Sequence, residues 1–218
     1  MKLSQLKIDP EFQSKIPPLQ FEEEQQLEQN IIAEGRLLNP IITWNGYILD
    51  GHTRYRILKK HGFIKFEVEE IQLANKYEAL AWICKNQLGR RNLSPERKKF
   101  LLGKEYESTK LAVGGQPGNC NKVNRCDQND HIDSEKRTCE RIAVEHGVGS
   151  ATVRRAEKYS RGIDAAEEAV PGAQEEILTG HIKATDEQIV ALASIPKEER
   201  PAILEELKKK KSDRDDTV

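Results

Sequence analysis

Two short apolar runs, Ile41-Ile42-Thr43-Trp44 and Tyr47-Ile48-Leu49, are separated only by Asn45-Gly46. Asn-Gly readily supplies the two positive-φ residues of a type I′ turn, so the runs are predicted to pair as a tight antiparallel hairpin. Asp50-Gly51 follows at once. Beyond it Arg54, Tyr55 and Leu58 recur at helical spacing as far as His61-Gly62, where glycine suits a left-handed cap. A hairpin that passes its second strand to a helix through a single glycine leaves little freedom in how residues 38–62 fold.

That junction has chemical meaning. A helix N-terminus presents unpaired backbone N–H groups and a positive partial charge, and here Thr53, Arg54 and Arg56 add a hydroxyl and two guanidiniums. An anion such as phosphate suits it. The plainer reading is that Asp50 or Thr53 caps the helix and both arginines are solvated. His52, between Asp50 and Arg54, is a candidate general base or phosphate contact, against the structural role more usual for an isolated histidine.

The rest of the chain divides by class. Residues 1–91 mix helix and strand signals: a helix over Phe21–Glu34 with Leu27 and Ile31 inward, the hairpin and its helix, a strand at Ile64-Phe66-Val68, and an amphipathic helix over Tyr77–Leu88 before Gly89. They are expected to form an α+β domain. Ser94 as N-cap and Pro95 at the first helical position open a connecting helix over 92–112. Residues 113–133, rich in Gly, Asn and Asp, read as a flexible loop. An all-α region follows, with a helix-turn-helix over 134–161 and C-terminal helices and a tail over 162–218. Those helices are expected at Ile163–Val170, Ala173–Leu178, Thr185–Ala193, opened by a Thr185/Gln188 capping box, and Pro196–Lys210.

Charge is unevenly spread. The 35 Lys and Arg nearly balance the 36 Asp and Glu, yet residues 85–110 are basic between acidic stretches at 9–34 and 162–206. A basic middle between acidic flanks points to a nucleic-acid face on a solubilised chain. No apolar run reaches membrane-spanning length and the first residues lack a signal-peptide core, so a cytoplasmic protein with no membrane partner is expected. The four cysteines then read as free thiols, with Cys84 buried in its helix. Cys120, Cys126, His131 and Cys139 follow a C-x5-C-x4-H-x7-C spacing that matches no common zinc module, and no metal is expected there.

Residues 138–158 carry the second signature. Ile142 and Ala143 face inward on a first helix, Gly147 permits a sharp turn, Val148 plugs the core, and Ser150 caps a second helix on which Val153 packs back. That leaves Ser150, Ala151, Thr152, Arg154, Arg155 and Lys158 as candidate DNA contacts. Those near the helix start would reach base edges, and Arg155 and Lys158 phosphates. An ordinary helical hairpin with a charged outer face is the alternative.

Taken together, three stretches resemble the ParB/sulfiredoxin superfamily, in particular the N-terminal domains of ParB-like partition-type DNA-binding proteins. The first is Ile31-Ile32-Ala33-Glu34-Gly35-Arg36-Leu37-Leu38-Asn39-Pro40-Ile41. The second is Asp50 to Tyr55, and the third is Asn86-Gln87-Leu88-Gly89-Arg90-Arg91-Asn92-Leu93-Ser94-Pro95-Glu96. The resemblance implies a ParB/sulfiredoxin-like domain followed by a helix-turn-helix, a double-stranded DNA partner, a homodimer and a partition ATPase as a further partner. It also implies a nucleoside triphosphate, CTP or ATP, with Mg2+, held by Gly51, His52, Thr53, Arg54, Arg56, Asn86 and Arg90.

Three positions depart from the family pattern. His52 replaces the box glutamate, Thr53 replaces one of its paired arginines, and Lys85 replaces the acidic residue before Asn86, removing an oxygen donor that magnesium would use. One extra residue between Asn86 and Leu93 leaves Arg90 and Arg91 as alternatives. His52 also stands where sulfiredoxin has its cysteine, so thiolate chemistry is not expected. Two other functions stay open: a nuclease or phosphotransferase using Asp50 and His52, and a non-catalytic DNA-binding adaptor.

Overall fold

The computed structural model describes residues 2–90, 92–114 and 130–215, the last range without side chains at 130–137 and 209–215, and the chain divides into two units, 1–87 and 88–218.

The first unit is built on the hairpin. Strands β1 (Ile41–Trp44) and β2 (Tyr47–Asp50) pair antiparallel through Asn45 and Gly46, whose φ angles of 49° and 76° are those the Asn-Gly turn requires. Trp44 faces Tyr47 and Thr43 faces Ile48. The register then slips by one residue, so that Ile42 faces Asp50 and a bulge bends the strand just before the junction. Strand β3 (Val68–Glu70) adds in parallel to β1, giving the order β2-β1-β3. This strand starts later than the expected Ile64-Phe66-Val68. Its register against the short β1 runs only from Ile41/Val68 to Thr43/Glu70, while Ile64 and Phe66 pack in the core ahead of it.

Both faces of the sheet are covered, as period-2 alternation dictates. On one side Ile41 and Ile48 pack with Ile31 of α2 (Phe21–Glu34), with Tyr55, Ile57 and Leu58 of α3 (His52–Lys60), and with Leu6, Leu37 and Ile64. On the other, Leu49, Trp44 and Tyr47 meet Phe12 of α1 (Pro10–Gln13) and Ala79, Leu80 and Ile83 of α4 (Lys76–Leu88). The α1 turn and a 3-10 turn at Leu3–Gln5 were not foreseen in sequence; Asp9 caps α1 by accepting from the Glu11 N–H at 2.8 Å. Helix α2 spans the residues expected of it and stops at Gly35, φ 64°.

The second unit is helical throughout its described residues: α5 (Pro95–Ala112), α6 (Asp130–Glu145), α7 (Ser150–Ala169), α8 (Ala173–Leu178), α9 (Asp186–Leu192) and α10 (Arg200–Asp215). Helix α6 begins inside the stretch read as loop, whose residues 115–129 lie outside the described ones. Helix α7 runs unbroken through Arg161 and Gly162, where a new helix was expected at Ile163. Gly162 serves an approach rather than a break: a Cβ there would stand 2.0 Å from the Ile189 carbonyl oxygen of α9. Gly103 does the same where α5 crosses α7, with the Ala156 carbonyl oxygen 2.2 Å from the position of a Cβ. Helix α10 starts four residues after the expected Pro196, because 196–199 form turns. Thr185 caps α9 with Gln188 in the predicted capping box.

Leu102, Tyr106, Cys139, Ile142, Ala143, Val153 and Ala156 form the core between α5, α6 and α7. Beside it Lys110 and Arg161 both bind the buried Glu157 carboxylate, at 2.9 and 2.8 Å. No helix among the described residues is long and apolar enough to cross a membrane.

Candidate functional site

The junction at the start of α3 is shaped by Gly51, which takes φ 101°, ψ 21° and ends β2 abruptly. The first intrahelical bond runs from the Tyr55 N–H to the Gly51 carbonyl at 2.8 Å, so the amides of His52, Thr53 and Arg54 precede it. The residue at the N-cap, Gly51, has no side chain with which to cap them.

Arg54 is already engaged. Its guanidinium binds the Asp50 carboxylate at 2.7 Å and donates to the backbone carbonyls of Asn39 and Pro40 at 2.9 and 2.8 Å. It thereby ties the segment leading into β1 to the first turn of α3. A side chain at Gly51 would crowd this guanidinium, 3.2 Å away. Arg56, more exposed, reaches Glu24 of α2 at 3.2 Å and the Thr53 hydroxyl at 3.4 Å.

His52 is buried, 6% exposed, and neither ring nitrogen has a hydrogen-bond partner. Burial pushes its pKa down to about 4; Asp50 raises it and Arg56 lowers it further. The ring is therefore neutral at pH 7.

The structure gathers Gly51, His52, Thr53, Arg54 and Arg56 at one helix end. Asn86 is exposed in the last turn of α4, and Arg90, also exposed, belongs to the second unit. Lys85 is exposed on α4 as well. This donor set does not fit magnesium: His52 is a neutral imidazole, Lys85 is a cation, and Asp50 is bound to Arg54. A phosphate suits the positive end of a helix better. Sequence reading missed the Asn39 and Pro40 carbonyls and Glu24. Only the acidic run of α2 facing a basic helix signalled the last.

In the second unit α6 ends at Glu145, Gly147 turns the chain at φ 64°, and the Val148 N–H donates to the Ala143 carbonyl at 2.9 Å. Ile142, Ala143 and Val153 are buried as predicted. Val148 is not the plug expected of it, being 37% exposed, because its backbone rather than its side chain closes the turn. Ser150 is the first residue of α7 and not its cap. Gly149 holds that place, its carbonyl accepting from the Thr152 and Val153 N–H groups, and Ser150 takes a bond from the Cys139 thiol on its own carbonyl.

Along α7, Ala151, Thr152, Arg154, Arg155 and Lys158 are exposed, whereas Val153, Ala156, Glu157, Tyr159 and Ser160 are buried. At 100° per residue, Ala151, Arg154, Arg155 and Lys158 form one stripe opposite the packed face. Gly162 lies on the continuation of that stripe, and α9 covers it. The open stripe thus spans only the first two and a half turns of α7.

Cys120 and Cys126 lie outside the described residues, as does the side chain of His131; Cys139 is a buried free thiol whose pKa burial pushes up.

No protein-family model matches the chain, and no curated protein matches it. Among solved structures, a Pnob8-like ParB-N domain is similar over 98% of this chain and 95% of its own, at 17% identity and a TM-score of 0.51. The C-terminally truncated chromosome-partitioning protein ParB from Caulobacter crescentus, complexed to the centromeric parS site, aligns over 94% of each chain at 16% identity and a TM-score of 0.39. The chain therefore has a fold similar to that of the Pnob8-like ParB-N domain.

Proposed function

We infer that the chain is a ParB-like protein that binds double-stranded DNA, with α6, the Gly147 turn and α7 acting as a helix-turn-helix unit. The observation that carries this reading is the stripe of Ala151, Arg154, Arg155 and Lys158, solvent-facing at the start of α7 and backed by a buried apolar core. Small residues at the head of such a helix let the backbone approach a major groove, and the cations behind them meet phosphates.

The test is a gel shift on random-sequence duplex over a salt series. Arg155→Ala and Lys158→Ala are each expected to lower the magnitude of the salt slope by about one, the effect of a lost phosphate contact. Unchanged affinity and slope in both variants would refute the assignment of α7 as the DNA-facing helix.

A second reading concerns the α3 junction, favoured by a helix N-terminus that opens on Gly51, a residue with no side chain, beside the unpartnered His52. A phosphate-bearing ligand, with CTP and ATP as the nucleotides to try, docks there and draws Arg56 away from Glu24. Calorimetry should show heat with one of them that Arg56→Ala reduces; no heat with either leaves the junction structural. A change of mass in solution on adding that nucleotide would join the site to self-association, the step through which a partition ATPase would meet a DNA-bound clamp.

A further inference from the structure

Away from the α3 junction, and on the far side of the Gly147 turn from the exposed stripe of α7, Glu105, Glu145 and His146 converge where α5 meets the end of α6, each offering one ligand atom and all three atoms within 4.8 Å of one another. Glu105 is 3% exposed and lies two residues beyond Gly103, whose contact with α7 fixes α5 in place. His146 Nε2 stands 2.7 Å from a Glu105 carboxylate oxygen. The His146 N–H donates to the Ile142 carbonyl, so its ring hangs from the closing turn of α6, with the exposed Glu145 beside it.

Two carboxylates and an imidazole are the donor types that borderline divalent ions take, and the C-terminal end of α6 adds the negative pole of its helix. A simple Glu105–His146 hydrogen bond accounts for two of these groups. Glu145, next to His146 in the chain, brings a second carboxylate to the same place.

We propose that Glu105, Glu145 and His146 bind one divalent transition-metal ion of the zinc class, with water completing the shell, and that the ion ties the end of α6 to α5 directly before the Gly147 turn. Donors about 2 Å from a tetrahedral ion lie about 3.3 Å apart. The present separations, from 2.7 Å up to at most 4.8 Å, straddle that value, so rotamer changes suffice to close the site. Because the ion would hold the turn that aims α7, its binding should raise DNA affinity. That last step rests on the DNA-binding reading, whereas the metal site does not.

The test uses the full chain, stripped with chelator and titrated with Co2+ and then Zn2+. One equivalent of Co2+ should bind with a ligand-field spectrum of nitrogen and oxygen donors, without a thiolate charge-transfer band, and Zn2+ should displace it. Glu145→Gln, an exposed position that leaves the core intact, should weaken binding at least about tenfold, since even groups behind a ligand cost that much. His146→Ala should weaken it further, and a Cys120→Ser/Cys126→Ser double variant should bind as the parent does. The site is refuted if no Co2+ binds, if Glu145→Gln and His146→Ala bind like the parent, or if a thiolate band appears and vanishes in the cysteine variant. Metal binding that leaves the gel shift unchanged keeps the site and removes its role in aiming α7.

Discussion

His52 and Arg54 stand two residues apart and meet opposite electrostatic fates. Arg54 is satisfied by three oxygens from two segments of chain, while His52 is buried with none. Lysine has one nitrogen and no planar fork, so Arg54→Lys is expected to lose the joint grip on Asp50, Asn39 and Pro40 and to destabilise the first unit by about 2 kcal/mol, read by urea unfolding. For His52 the sign follows from its lowered pKa. The unfolded chain takes up a proton near the ordinary value of 6.5 and the folded chain only near 4, so stability falls as pH drops through that window and is fully present above it. A gap of that size corresponds to about 3 kcal/mol at its limit. His52→Leu should flatten the acid limb of stability against pH between about 6.5 and 4 and raise stability throughout it. An unaltered acid limb would show that His52 does not control it.

At the scale of elements, the patterns readable in sequence were those set by local chemistry. The Asn45-Gly46 hairpin, the α2 boundaries, the Ser94-Pro95 start of α5 and the Thr185 capping box each need only residues within one turn of one another. What sequence did not reveal depends on distant partners. Gly162 reads locally as a helix weakener, yet it is where α9 lies against α7, and nothing within four residues of it says so. The same limit hid the partners of Arg54 and placed Val148 in a core it does not enter. Gly162→Ala and Gly103→Ala each force a Cβ onto a backbone carbonyl. Each should cost about 1–3 kcal/mol or more, seen as a lower thermal midpoint, whereas Gly62→Ala, with open space around its Cβ, should stay close to the parent.

At the scale of the whole chain, two units with their own cores follow one another. The first fills both faces of a three-stranded sheet, which is the least a short sheet needs for independent stability. Residues 1–92 expressed alone should therefore unfold in one cooperative transition, followed by circular dichroism. A broad, non-cooperative melt would show that residues 93–218 are needed to complete this core.

If α7 reads DNA as proposed, the α9 crossing at Gly162 also limits how much sequence a single copy could read. Nine residues, Ser150 to Lys158, stay clear of it, a length of about 13 Å along the helix axis. Successive base pairs rise about 3.4 Å, so that length passes about four of them. A word of four pairs recurs about once in every 256 base pairs of random sequence, too often to single out one site among the many of a genome. A chain that read DNA in this way would gain a unique address only when the same short word is read more than once, and the spacing between repeats of that word would then become part of the code.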